Sequence, residues 1–112
     1  MIYICTALHL SLLRKEHQKP GSPRLRFPVS ITIEQARDYV RDFRYCSNVR
    51  SEHAAKTLSQ HLGISLDMYS TFGSRKLEID DNILIGSLVP FNFRIGAAPT
   101  TPQQRDIEWW IV

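Results

Sequence analysis

Two cysteines are all this sequence offers to disulfide or thiolate chemistry. Cys5 and Cys46 form no C-x-x-C pair and no regular framework, so both are read as reduced thiols of a cytoplasmic protein. Long hydrophobic runs are missing too. The apolar opening "MIYICTALHLSLL" is too short to span a bilayer. It has no basic stretch before it and no small-residue cleavage site after it, and "RKEH" follows directly, so no membrane partner or secretion signal is expected. Four histidines, His9, His17, His53 and His61, share no ligand spacing, and neither cysteine stands near them in a finger pattern. Neither a metal nor any other cofactor is expected. Charge of one sign is also scarce: 14 Lys and Arg against 11 Asp and Glu leave +3. That suits an anionic small ligand better than duplex DNA. No repeat or low-complexity tract interrupts the 112 residues, which are long enough for one domain, 1–112, with a core of its own.

What is present reads as alternating strands and helices. "IYICTAL" (2–8) is apolar and β-rich, as a strand covered on both faces would be. "RKEHQKPGSPR" (14–24), with Pro20, Gly21 and Pro23, reads as an exposed loop. "LRFPVSI" (25–31) suits an edge strand because Pro28 lacks a ladder donor. Thr32 with Gln35 three residues on forms a capping box, and Ile33, Ala36, Tyr39 or Val40, and Phe43 then repeat at helical spacing. A second helix over 52–62 has Ser51 as cap, Ala55, Leu58 and Leu62 as its buried side, and Gly63 as its stop. Further strands are expected at 65–72, 76–79, 83–89 and 107–112, with a turn at Asp80–Asn82 and a short helical turn over 99–104. In a terminal strand Trp109 and Trp110 face opposite ways, one into the core and one toward a subunit contact. The fold class expected is α/β (α+β): a single mixed β-sheet flanked by two main helices.

Chemistry-bearing residues are sparse. Cys46 stands beside Arg44 and Arg50, which would lower a thiol's pKa, but is read as a small, partly buried side chain before a turn. Arg37, Arg41 and Arg44 share a helical stripe with Glu34 and Asp38 near enough to pair, as on a solvated face. The stretch "SNVRSEHAAKTLSQHLG" (47–63) is more suggestive. A polar lead-in with Arg50 runs into a helix whose first turn carries Ser51, Glu52 and His53, where outward-pointing N–H groups attract anions. A phosphodiester with a neighbouring 2′-hydroxyl can break there without metal, provided an acid protonates the departing 5′-oxygen and a cation steadies the phosphate. His53 is read either as such an acid or as a surface histidine beside a helix cap.

"IYICTALHLSLL", "SNVRSEHAAKTLSQHLGI" and the closing "IEWWIV", in that order, resemble the viral anti-CRISPR ring-nuclease family. Its members open on a strand like V-Y-L-x-N-A-F-S-I-N-M-L and carry a later segment like S-A-I-G-H-[DE]-S-T-A-x-L-L-x-x-L-G. The resemblance spans nearly the whole chain, with an insertion around 14–24. It implies a homodimeric fold that binds cyclic tetra-adenylate, the messenger of type III CRISPR defence, across its two-fold axis. It further implies metal-free ring cleavage by a histidine at the helix start and an R-x-x-E element, which silences the defence.

Carried over position by position, the family's histidine becomes Ser51, followed by Glu52 as the pattern requires, and the next two positions become His53 and Ala54. The strand-end Asn, Ser and Asn become Thr6, His9 and Ser11. Arg94 matches the arginine of R-x-x-E with Ala97 in the glutamate's place, and Arg75 is nearest to an arginine expected near Ser70. On one regular helix, positions 51 and 53 would lie about 200° apart, so His53 replaces the acid only if Ser51 is a non-helical cap or the helix begins later than residue 52. His9 is the alternative acid. The expectation is a cyclic-oligonucleotide protein with His53, His9 and Arg94 as catalytic residues and Thr6, Ser11, Arg50, Ser51, Glu52 and Arg75 as ligand contacts. It either cleaves the ring or holds it uncut. From another class comes a small interaction protein that acts on a protein partner through the basic 14–26 insertion and the paired tryptophans.

Overall fold

A computed structural model describes residues 1–68, 76–88 and 107–112. Within them, β1 (Ile2–Cys5) leads through a 3-10 turn at Leu10–Leu12 to the single-turn α1 (Lys15–Gln18). The edge strand β2 (Val29–Ile31), helix α2 (Ile33–Asp42), β3 (Tyr45–Ser47) and helix α3 (Glu52–Leu62) follow, then β4 (Asn82–Ser87) and β5 (Glu108–Ile111). The strands form one mixed sheet in the order β2-β5-β4-β1-β3. β1 runs parallel to both β3 and β4, while β5 is antiparallel to β4 and β2. Four strands therefore share a direction, and β5 alone opposes them.

Both α2 and α3 bridge strands that run the same way, and both lie on one face of the sheet. Ala36 and Val40 of α2 and Ala54, Ala55, Leu58 and Leu62 of α3 pack there on Ile2, Ile4, Leu84 and Trp109. Full burial of a side chain such as Leu58 contributes about 1.5–3 kcal/mol. Gly86 lets α3 come this close: a Cβ there would stand 2.6 Å from Leu58 Cδ2 and 2.9 Å from the Trp109 ring. The other face buries Tyr3, Cys5, Ile83, Ile85 and Val112 beneath Leu12, Leu13 and Leu77. No described helix is long and apolar enough to cross a membrane.

The helix ends follow the sequence closely. Thr32 Oγ1 accepts the Gln35 N–H at 3.1 Å and Gln35 Oε1 accepts the Thr32 N–H at 2.9 Å, a complete capping box. Ser51 caps α3 and Gly63 ends it at φ +70, a left-handed conformation that glycine adopts without penalty. β2 is an edge strand just after Pro28, and Trp109 and Trp110 do face opposite ways. Trp109 enters the helix-side core. Trp110 packs half-buried against the other face, its indole Nε1 enclosed with no hydrogen-bond partner among the described residues.

Several expectations need correction. The first strand ends at Cys5 rather than at residue 8, because β3 offers only three residues to pair with and then departs toward α3. The short β3, which overlaps the polar lead-in only at Ser47, is not among the expected strands, since three residues carry no measurable periodicity. The 14–24 loop contains α1 and buries His17. Phe43 lies just beyond α2 and is exposed, stacking loosely on Tyr39 with ring centroids 6.1 Å apart.

Residues 76–79 are not a strand, since both sides of β4 are already taken by β1 and β5. They are held instead by buried Leu77, whose N–H donates to the Leu12 carbonyl at 2.8 Å. Residues 65–68 form no strand, and the rest of that segment lies outside the described residues, as does 99–104. The strand at 83–89 is β4, which starts one residue earlier and closes at Ser87.

Candidate functional site

In sheets with parallel strands, ligands gather outside the carboxyl ends of those strands. Here the chain leaves β1 through Thr6–His9 and leaves β3 through Asn48–Ser51, so the two exits come out side by side. Asn48 clamps them together. Its N–H donates to the Ile4 carbonyl at 2.8 Å, and its side-chain amide reaches Cys5 Sγ at 3.6 Å. Val49 is fully buried, and its N–H is taken by Ser47 Oγ at 3.3 Å. With Val49 anchored inward, Arg50 and Ser51 are carried outward, and both are exposed.

Ser51 has an extended backbone, φ −109 and ψ 131, and its Oγ accepts the Ala54 N–H at 3.3 Å. It is a non-helical cap, so the angular separation between two residues of one regular helix does not apply to Ser51 and His53. Helix α3 starts at Glu52, and the N–H groups of Glu52 and His53 have no partner within the helix. Glu52 sits at the positive end of the helix dipole, a stabilising place for a carboxylate, and loosely pairs with Lys56 one turn on at 3.9 Å. His53 is exposed, and its carbonyl accepts the buried Thr57 hydroxyl at 2.9 Å.

His9 is half-buried on the loop after β1, and its carbonyl accepts the Leu12 N–H at 3.1 Å. Burial lowers its pKa below the ordinary 6.5, and the positive charge of Arg50 lowers it further. The structure thus brings His9 and Arg50, far apart in sequence, into one electrostatic neighbourhood. Thr6 is half-buried just before His9 and Ser11 is exposed just after it. Cys5 beneath them is a poor nucleophile: burial drives its pKa up to about 11, only partly offset by the Asn48 hydrogen bond. Arg75 and Arg94 lie outside the described residues. Among the described residues, no cluster of three His, Cys, Asp or Glu could hold a metal ion.

The arginine stripe is exposed, as on a solvated face, with Arg37 and Arg41 on α2 and Arg44 just beyond its end. Arg41 pairs with Asp38 at 2.8 Å and Asp42 at 3.1 Å, while Arg37 Nε donates to the His61 carbonyl at 2.9 Å and ties α2 to α3. Two open clefts occur elsewhere. One of about 720 Å³ runs along β2 and β5 past Thr32, Arg37 and Trp109. The other, of about 730 Å³, lies between the 14–26 insertion and residues 77–79. Neither includes a residue expected at the cyclic-nucleotide site, whereas the first takes in Trp109 and Trp110 and the second the basic insertion, the features named for a protein-binding role. Two residues that hold these regions in place were missed. Asn48 offers only a lone amide at a strand end as its signal, and His17 sits in a stretch whose composition reads as loop.

No protein-family model matches the chain, and no curated protein matches it. A solved structure does: B116 of Sulfolobus turreted icosahedral virus superposes with a TM-score of 0.64 at 11% identity, over 98% of this chain and 96% of that one. At that identity the likeness is one of fold.

Proposed function

We propose that this is a viral protein that binds a cyclic oligoadenylate messenger at the carboxyl ends of β1 and β3 and so counters type III CRISPR signalling in the host cytoplasm. The observation that carries the proposal is that β1 and β3 leave the sheet side by side, so that His9 lies in the field of Arg50 just ahead of the first turn of α3, whose cap stands where the family resemblance puts a ligand-facing residue. A phosphate at that turn would meet the unpaired N–H groups of Glu52 and His53, the Ser51 hydroxyl and the Arg50 guanidinium. Thr6 and Ser11 flank the base or sugar, and Arg75 and Arg94 contribute through the same resemblance. A second copy completes the ring site across a two-fold axis.

In the cleaving form, a ribose 2′-oxygen attacks the adjacent phosphorus in line, forming a P–O2′ bond as the P–O5′ bond breaks. The 2′-hydroxyl proton leaves to solvent, and His9 or His53 gives its proton to the 5′-oxygen. Incubation with cyclic tetra-adenylate in EDTA, followed by chromatography, tests this directly. His9→Ala or His53→Ala is expected to slow ring loss by about 10²-fold, the scale of a general acid. Unchanged single-turnover rates in both variants would sink the catalytic form. Failure of every cyclic oligoadenylate to raise the melting temperature would sink the proposal itself.

A second form, binding without cleavage, is favoured by one observation: Ser51, a hydroxyl cap, stands where the resemblance puts the catalytic histidine. Intact ligand recovered after long incubation identifies that form.

A further inference from the structure

The positive charge of this chain is unevenly distributed. Residues 14–26 hold Arg14, Lys15, Lys19, Arg24 and Arg26 against the single acid Glu16, a surplus of four where the whole chain has +3. The remainder is therefore slightly negative, and the basic character of the molecule resides in this one insertion.

The insertion is pinned to the sheet. His17, 3% exposed, accepts the Arg14 N–H on Nδ1 at 3.2 Å, and its carbonyl accepts the Arg26 N–H at 2.8 Å. The Arg26 guanidinium donates to the carbonyls of Asp81, Glu78 (3.3 Å) and Ile79 (3.0 Å). Arg14 Nε donates to the Leu77 carbonyl at 2.8 Å. Carbonyls satisfy donors without cancelling a charge, so Arg26 keeps its full positive charge at the cleft. The carboxylates nearby are exchangeable. Glu78 meets Arg14 at 2.8 Å but is 72% exposed, and Glu16 meets Arg24 at only 3.4 Å. Exposed pairs of this kind contribute little and give way readily to a competing carboxylate. Beside the charges, Leu25 and Ile79 line the cleft with apolar surface, and Ile79 and nearby Phe27 are about two-thirds exposed.

We propose that this cleft, at the amino end of β4 and apart from the His9–Ser51 site, docks an acidic, extended peptide segment of a partner protein. Its carboxylates take the places of Glu16 and Glu78 against Arg24 and Arg14, and an aliphatic side chain between them seats on Leu25 and Ile79. A nucleic acid fits less well. Among the described residues no Phe, Tyr or Trp lines the cleft to stack a base, and the anions already seated there are carboxylates.

The test is fluorescence anisotropy of a labelled short peptide of alternating glutamate and leucine, titrated with the full chain. Saturable binding is expected, with Arg24→Glu weakening it about tenfold or more and Leu25→Ser weakening it without any change of charge. Melting temperatures should stay at the wild-type value, since both side chains are exposed. Arg41→Glu, on α2, should change affinity by no more than about twofold. The absence of saturable binding overturns the proposal, as does an equal loss in Arg24→Glu and Arg41→Glu. Displacement of the peptide by linear oligoadenylate overturns it in favour of a nucleic-acid surface.

Discussion

The two long helices begin with the same device and finish it differently. At α2, Thr32 and Gln35 exchange hydrogen bonds, so the first turn closes on itself. At α3, Ser51 Oγ accepts the Ala54 N–H, but the residue in the returning position is alanine, which has no side-chain acceptor for the Ser51 N–H. The first two helical N–H groups are open at both starts, and the difference is that a side chain returns to the cap's own N–H at Thr32 but not at Ser51. α2's start is also remote from the carboxyl ends of β1 and β3, whereas α3's follows directly from them. A complete cap is a stabilising element, and the incomplete one at the strand exit is where the proposed ligand would sit.

The contrast can be broken at several strengths. The largest effect on the fold is expected from Gly86→Ala, whose new methyl would collide with Leu58 and Trp109 and push α3 off the sheet, at a cost of about 1–3 kcal/mol. Urea unfolding measures it, and an unshifted midpoint would mean that α3 does not approach so closely. Next, Thr32→Ala and Ser51→Ala should each cost about 1 kcal/mol by the same measurement. Only the Ser51 change should weaken binding of cyclic tetra-adenylate, and equal weakening by both would erase the distinction between the two starts. Ser51→Gly sharpens it further, because glycine is a tolerable cap: stability should drop by only a few tenths of a kcal/mol while ring binding still suffers.

Two smaller effects depend on pH. His17 has its pKa lowered in the folded protein, chiefly by burial and then by Arg26. Above the ordinary value of 6.5 both folded and unfolded chains hold it neutral and it contributes nothing to the slope. As pH falls below that value the unfolded chain takes up the proton first, so stability should decline toward acid, and His17→Gln should remove that part of the decline. His9 is lowered as well, so any ring cleavage that uses it as the acid should accelerate as pH falls toward its depressed pKa. A rate that is flat across the same range would assign the proton to another group.

Much of this fold could be read from the residues because its helices carry local signals. The Thr32–Gln35 box, the Ser51 cap and the Gly63 stop each rest on hydrogen bonds or dihedrals within a few residues, and each is found where the sequence places it. What could not be read depends on partners distant in the chain. β3 is a strand only because β1 lies beside it, and residues 76–79 fail to be one only because β4 has no free side. His17 sits among Lys, Gln, Pro and Gly, the composition of a loop, yet Arg14 and Arg26 fold over it. At the site, the helix start was visible in sequence but the approach of His9 to Arg50 was not, since it depends on β1 and β3 leaving the sheet side by side.

The position of β5 sets an order of assembly. It comes last of the elements, yet it lies inside the sheet between β4 and β2, and β2, formed early in the chain, borders no other strand among the described residues. The nucleus of β1, β3 and β4 with its two crossover helices can form before β5 is available. Until then, β2 has no ladder and β4 presents an open, apolar flank. Closing such a distant pairing is entropically costly and slow. During synthesis that flank is the surface through which two immature chains could pair with each other instead, so removal of residues 108–112 should leave it uncovered and promote aggregation.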